Sequence, residues 1–181
     1  EKLAKSVWLQ VRDDNPPAIE LYTQMGFLEK CRRSTFTIQP LIKLKDYMGY
    51  GVSIRRRLHE EWDQHKHWLK VVYPDDVRWN VGLRENRFEP GFLKWLNRLI
   101  SGLSIINISI QKDNKVIGFA TLEKTNLYAD NLWIACQEEF DDQVIRASIP
   151  YFRKSAFFVR PQTINYPVGR GGKAFEDLGF I

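Results

Sequence analysis

The segment Val11–Phe27, VRDDNPPAIELYTQMGF, decides the fold more than any other stretch of the chain. Asn15 suits a helix N-cap, and Pro16 suits the first helical position, where its missing N–H costs nothing. A helix starting there places its apolar residues on one face, and Gly26 ends it as a left-handed cap. The apolar residues of that face are Ala18, Leu21, Tyr22 and Met25.

Alternating residues before this helix predict a strand over Val7–Val11, and a second strand is predicted over Thr35–Ile38. The chain ends on a weaker version of the same closing pattern, VGRGGKAFEDLGF, at Val168–Phe180. An internal repeat is therefore predicted, with its first copy cut short.

Further elements are predicted along the rest of the chain. A helix is expected from Ser53, as N-cap, to about Lys70, with Leu58, Trp62 and Leu69 as its buried stripe. The others are a helix from Pro90 to Ile100, a hairpin of Ile106–Ile110 and Val116–Leu122 turning at Asp113–Asn114, a strand Asn131–Cys136, a helix over 138–154 that Pro150 kinks or ends, a strand Ala156–Val159 and a helix Lys173–Leu178. Together they predict an α/β fold with a mixed sheet and helices on both faces.

Composition limits the function classes. Of the 181 residues, 44% are hydrophobic and the net charge is only +5, which supports a buried core and argues against nucleic acid as a partner. The two cysteines, Cys31 and Cys136, share no motif, as expected of a reduced cytoplasmic protein. No apolar run approaches the roughly 20 residues of a membrane span, so no membrane partner is expected. His65 and His67 are two residues apart on a predicted helix and do not share a face, so no metal site is expected.

The pattern N-x-x-A-x-x-L-Y-x-x-x-G-F, at Asn15–Phe27, resembles the last conserved motif of the GCN5-related N-acetyltransferases. The two helices and hairpin between Trp79 and Leu122, with the strand KVIGFATL, look like the opening of the same family. The resemblance implies the family's acyltransferase fold in tandem. Residues 1–40 would be the C-terminal remnant of a first module, 41–52 a linker, and 53–181 a second, degenerate module.

The resemblance also implies an activity, the transfer of an acetyl group from acetyl-CoA to an amine. Tyr22 lies where the family's tyrosine protonates the departing thiolate, and Asn15 where its asparagine lies beside the cofactor's pantetheine arm. Each residue has a structural alternative, because Asn15 can simply cap the helix and Tyr22 can simply pack. Acetyl-CoA would be a co-substrate of the first module, whose phosphate-binding loop would lie upstream of Glu1.

The second module departs from the family pattern at its cofactor loop. The loop position falls at Glu138–Gln143, EEFDDQ, which has no glycine and whose four carboxylates repel a pyrophosphate. In its closing motif Phe175 replaces the tyrosine and Val168 replaces the asparagine. The glycines around Arg170 are interpreted as a flexible helix entry rather than a phosphate loop.

Two functions follow from these observations. The chain is the C-terminal part of a tandem N-acetyltransferase acting on a small-molecule or peptide amine, or it is a non-catalytic module serving packing, substrate shaping or dimerisation. The first-module remnant has two predicted strands without partners, and the second module ends without its closing strands. We therefore predict that one strand of the remnant joins the second module's sheet, within one chain or across a homodimer.

Overall fold

The computed structural model describes residues 6–40, 51–102, 104–155 and 159–181. The chain divides into two compact units, Glu1–Cys31 and Arg32–Ile181. The helices are α1 (Pro16–Gln24), α2 (Trp62–Val72), α3 (Asp75–Asn80), α4 (Phe92–Ile100), α5 (Asp141–Ser155) and α6 (Gly172–Asp177). The strands are β1 (Arg33–Ile38), β2 (Val52–Arg56), β3 (Ser104–Lys112), β4 (Lys115–Lys124), β5 (Asp130–Cys136) and β6 (Gln162–Pro167).

The first unit is built around α1, and the predicted caps of this helix are confirmed. The Asn15 side-chain oxygen accepts a hydrogen bond from the Ala18 N–H at 3.3 Å, and Gly26 follows the helix with φ of +87°. The predicted strand Val7–Val11 is wrong, because these residues form no ladder. A strand needs a partner, and the described part of this unit contains no second one.

The second unit contains a six-stranded sheet in the order β1-β6-β5-β4-β3-β2. Neighbouring strands are antiparallel except β5 and β6, which run parallel. The hairpin of β3 and β4 turns at Asp113 and Asn114, whose φ angles of +49° and +60° are those of a tight left-handed turn. The predicted hairpin is therefore confirmed.

Helices cover both faces of this sheet, as predicted. The Phe119 ring in β4 stacks on His65 of α2, with ring centroids 4.7 Å apart. A Cβ built on the preceding residue, Gly118, would meet Val144 of α5 at 2.5 Å. Because successive residues of a strand point to opposite faces, α2 and α5 lie on opposite sides of the sheet.

Strand β1 lies at the edge of the sheet, antiparallel to β6, with Phe36 opposite Ile164. On the other side of β1, Thr37 exchanges two backbone hydrogen bonds with Ile181, of 2.7 and 2.9 Å. The predicted strand Thr35–Ile38 is therefore confirmed, and within one chain it joins the sheet that contains Ile106–Ile110.

Two predicted helices differ from the structure. Ser53 lies inside β2 rather than at a helix N-cap, because residues 52–56 pair with β3, and the helix begins only at Trp62. Leu58, expected in its buried stripe, is exposed. Helix α5 does not end at Pro150, since the buried side chains of Ile149 and Phe152 hold the helix on both sides of it.

The loop expected between α5 and the last helix contains β6, a strand that was not predicted from the sequence. The predicted strand Ala156–Val159 has its first three residues outside the described residues. Most of the predicted linker, residues 41–50, also lies outside the described residues.

Candidate functional site

The candidate site is the cleft where β5 and β6 separate. The two parallel strands pair only at Asp130–Gln162 and Asn131–Thr163. Toward their carboxyl ends, at Cys136 and Pro167, they form no further ladder pairs. In an open α/β sheet, a cleft at the carboxyl ends of parallel strands is the usual place for a ligand.

A buried carboxylate fills this cleft. Asp141, the first residue of α5, accepts hydrogen bonds from the Tyr166 hydroxyl at 2.6 Å and from two nitrogens of Arg170, each at 2.7 Å. The Cys136 thiol lies 3.2 Å from the same carboxylate. Arg170 also donates to the Cys136 carbonyl at 3.3 Å, so the network joins the end of β5 to the turn after β6.

The pKa values of three groups in this network are shifted, those of Tyr166, Cys136 and Arg170. Burial raises the pKa of the Tyr166 phenol far above its usual value, and the adjoining Cys136 and Asp141 raise it further. Burial and the Asp141 charge likewise raise the pKa of the Cys136 thiol. Burial alone would lower the pKa of Arg170, but its hydrogen bonds to Asp141 outweigh this effect and the net shift is upward. At neutral pH the Cys136 thiol and the Tyr166 phenol are therefore neutral, and the Arg170 guanidinium is charged.

A glycine turn between β6 and α6 positions Arg170. Gly169 and Gly171 on either side of it have φ angles of +83° and +66°. A Cβ on Gly171 would lie 2.4 Å from the Cδ1 atom of Ile145, so the turn packs closely against α5. The turn thus brings a guanidinium against Asp141, and Arg170 completes a bidentate ion pair within the protein.

Tyr73, which follows the last residue of α2, adds a second aromatic residue on the β5 side of the cleft. It is fully buried, and its ring meets Trp133 of β5 edge-on at 5.5 Å. The guanidinium of Arg33 lies 4.9 Å from the centre of the Tyr73 ring. Arg33 also donates to Asn165 of β6 at 2.8 Å, so these side chains connect α2, β1 and β6.

The predicted pair Asn15 and Tyr22 lies in the first unit, two turns apart on α1. The Asn15 amide caps the helix, which is one of its two predicted roles. Tyr22 is half-buried, and its ring meets Phe27 edge-on at 5.7 Å. The roles of Asn15 beside a cofactor and of Tyr22 as a proton donor stay predictions.

The closing motif has the same geometry in both copies. The Phe27 N–H donates to the Tyr22 carbonyl at 3.0 Å, and the Phe180 N–H donates to the Phe175 carbonyl at the same distance. The glycine before each closing phenylalanine has φ of +87° or +85°. Phe175 is thus the structural counterpart of Tyr22 and carries no hydroxyl.

The acidic start of α5 divides into one inward and three outward carboxylates. Asp141 points into the cleft, whereas Glu138, Glu139 and Asp142 are exposed. Sequence reasoning found the acidic cluster but missed the partners of Asp141, because Tyr166 and Arg170 lie 25 and 29 residues away. The one signal for this pairing was an arginine inside a run of glycines.

The described residues contain no group of three or more His, Cys, Asp and Glu side chains placed to hold a metal ion. They also contain no helix long and apolar enough to cross a membrane.

No family model matches the chain, and no curated protein matches it. Solved structures do match its fold. A GCN5-related N-acetyltransferase from Kribbella flavida matches with a TM-score of 0.58 and 12% identity, over 92% of this chain and 60% of that chain. A second, from Sphaerobacter thermophilus, matches with a TM-score of 0.55 and 9% identity, over 94% and 54%.

A tandem protein of the same class, from the clavulanic acid biosynthesis pathway, has a TM-score of 0.51 and 14% identity, over 98% of this chain and 58% of that chain. The fold is therefore that of the GCN5-related N-acetyltransferases. The chain spans only 54–60% of the length of these three structures.

Proposed function

We propose that the chain is the C-terminal part of a tandem N-acetyltransferase, in which its second module does not itself bind acetyl-CoA. The second module would comprise residues 53–181 with strand β1 added to its sheet. The observation that carries this proposal is the cleft between β5 and β6, where Asp141 accepts hydrogen bonds from Tyr166 and Arg170.

The residues that line this cleft do not provide the groups that bind acetyl-CoA. A pyrophosphate is held by backbone N–H groups of a glycine-rich turn at a helix N-terminus. Here the turn into α5 contains no glycine, and three exposed carboxylates surround the helix start. The only guanidinium in the network already carries a bidentate bond to Asp141.

Acetyl transfer in the whole protein is assigned to a first module whose C-terminal remnant, residues 1–40, contains α1. There Tyr22 would donate its phenolic proton to the departing thiolate, and Asn15 would lie beside the pantetheine arm. The acceptor is a small-molecule or peptide amine. The second module then serves packing, substrate shaping or dimerisation, and for the present chain alone we expect no transferase activity.

Calorimetric titration of the chain with acetyl-CoA tests the proposal, and no saturable binding is expected. Two matched variants locate any binding that is seen. Glu139→Arg adds a cation at the start of α5, and Glu176→Arg adds one at an exposed position of α6. Saturable binding that Glu139→Arg strengthens and Glu176→Arg leaves unchanged would place a pyrophosphate at the cleft and overturn the proposal.

A further inference from the structure

Helix α4 presents its apolar side to solvent. At about 100° per residue, its apolar residues occupy one arc about 160° wide and its polar residues the opposite arc. The apolar residues are between 36% and 77% exposed. They are Phe92, Leu93, Trp95, Leu96, Leu99 and Ile100.

On the polar side of α4 only Arg98 is half-buried, whereas Lys94, Asn97 and Ser101 are exposed. These four residues line a cavity of about 530 Å³ that α4 shares with α3 and the turn at Glu85–Arg87. An ordinary surface helix covers the core with its apolar face, and α4 does not.

The orientation of α4 is held by one guanidinium. Arg98 is half-buried and donates to the carbonyls of Arg87 and Glu89, at 2.8 and 3.1 Å. Lys94, one turn earlier, forms an ion pair with Glu89 at 3.3 Å. Turning the apolar face inward would break these bonds and leave two carbonyls without donors, so the outward apolar face is a built feature.

We propose that this apolar face of α4 is a dimerisation surface that binds the same face of a second copy of the chain. In a two-fold interface the same patch of each copy faces the other copy. A charged residue near the axis would therefore lie against a residue of the same charge. The six residues of this face include no charged or polar side chain, and the face is therefore compatible with itself. This interface is separate from the strand pairing of β1 and does not depend on the acetyl-CoA cleft.

The exposed area also fits a dimer. Taking roughly 150–250 Å² for a whole aromatic side chain and somewhat less for an aliphatic one, the exposed fractions leave about 600–700 Å² on this face. A stable interface buries about 800 Å² on each partner. The area of this face therefore lies at the lower end of the range for specific interfaces, about 600–1,000 Å² on each partner.

An anionic lipid surface is a poorer occupant for this face. Interfacial helices carry lysines and arginines that are free to meet lipid headgroups beside the apolar face. In α4 both basic residues, Lys94 and Arg98, bind the protein instead.

Sedimentation equilibrium over a wide range of protein concentration tests the proposal. The wild-type chain is expected to shift from its monomer mass of 21.4 kDa to twice that value as concentration rises. Leu93→Glu combined with Ile100→Glu, at two positions each 77% exposed, should remain monomeric. The matched control combines Leu127→Glu with Tyr128→Glu, at equally exposed positions outside α4, and should still dimerise.

Hydrogen exchange on the wild-type chain supplies a readout that needs no variant. Amides of Phe92–Ile100 should become more protected as concentration rises, while those of the β4–β5 loop should not change. A wild-type chain that stays monomeric throughout, or an α4 variant that still dimerises, would overturn the proposal. Flotation of the monomer with phosphatidylcholine–phosphatidylserine vesicles would also overturn it, in favour of a membrane surface.

Discussion

Replacing Arg170 with methionine would test whether the hydrogen bonds among Asp141, Tyr166 and Arg170 keep the cleft closed to a ligand. Methionine keeps most of the volume of the arginine stem but removes the guanidinium. Asp141 would then keep the Tyr166 hydroxyl and lose both charge-assisted bonds from Arg170. A buried carboxylate without its cation is strongly destabilising.

The magnitude follows from the burial of the pair. The side chains of Arg170 and Asp141 are only 13% and 7% exposed, so solvent screens the pair weakly. Breaking a buried ion pair by removing one partner costs about 3–5 kcal/mol. Since Arg170 retains some contact with solvent, we expect a loss of about 3 kcal/mol in the free energy of unfolding, or about 6–12 °C in Tm.

Urea unfolding followed by tryptophan fluorescence measures this loss, and a double-mutant cycle isolates the pair. Asp141→Leu alone leaves Arg170 without its carboxylate and should also destabilise the chain. The double variant should lose much less than the sum of the two single variants, because no buried charge is left unpaired. Arg84→Met, at an exposed arginine, is the control and should change the free energy by less than about 0.5 kcal/mol.

Additive effects in this cycle would refute the interpretation that the ion pair of Asp141 and Arg170 keeps the cleft closed. A loss below about 1 kcal/mol for Arg170→Met would do the same, since that is the range of a surface ion pair. In either case the cleft could open at little cost, and the proposal that it excludes acetyl-CoA would lose its physical basis.

Three further predictions concern other parts of the chain. Gly118→Ala should cost about 1–3 kcal/mol in urea unfolding, because its methyl group would overlap both γ-methyls of Val144, and Val144→Ala should relieve most of that cost. His65 is fully buried and accepts a hydrogen bond from Arg57 at Nδ1, and burial lowers its pKa well below 6.5. The contribution of His65 to the free energy of unfolding should therefore be constant above about pH 6.5 and fall by up to about 1.4 kcal/mol per pH unit below it. In the tandem transferase proposed above, Tyr22→Phe should lower turnover by about 10²–10⁴-fold without changing the unfolding curve.

Each of these three predictions has its own control or contradicting result. An equal effect of Gly118→Ala in the wild-type and Val144→Ala backgrounds would show that the contact is not the cause. His65→Gln should flatten the acid side of the stability profile, whereas His67→Gln, at an exposed residue, should not. Unchanged turnover of Tyr22→Phe under conditions where chemistry limits the rate would leave Tyr22 as a packing residue.

Where residues close in sequence decide the structure, the sequence alone predicted it. The cap at Asn15, the closing turn at Gly26 and the hairpin turn at Asp113–Asn114 each depend on the intrinsic backbone preferences of a few neighbouring residues. The repeat was also visible in the sequence, because the same local geometry closes the helix before Phe27 and before Phe180.

Tertiary contacts decided the rest. Ser53 entered a strand because β3 was available as its partner, while Val7–Val11, with equally good alternation, formed none. Pro150 stayed inside α5 because burial of the helix outweighed the lost hydrogen bond. The acidic cluster at Glu138–Asp142 could be recognised in the sequence, but the arginine that binds Asp141, 29 residues away, could not. Only the folded chain brings Arg170 to Asp141, since the ion pair depends on how far β5 and β6 separate and not on any local pattern.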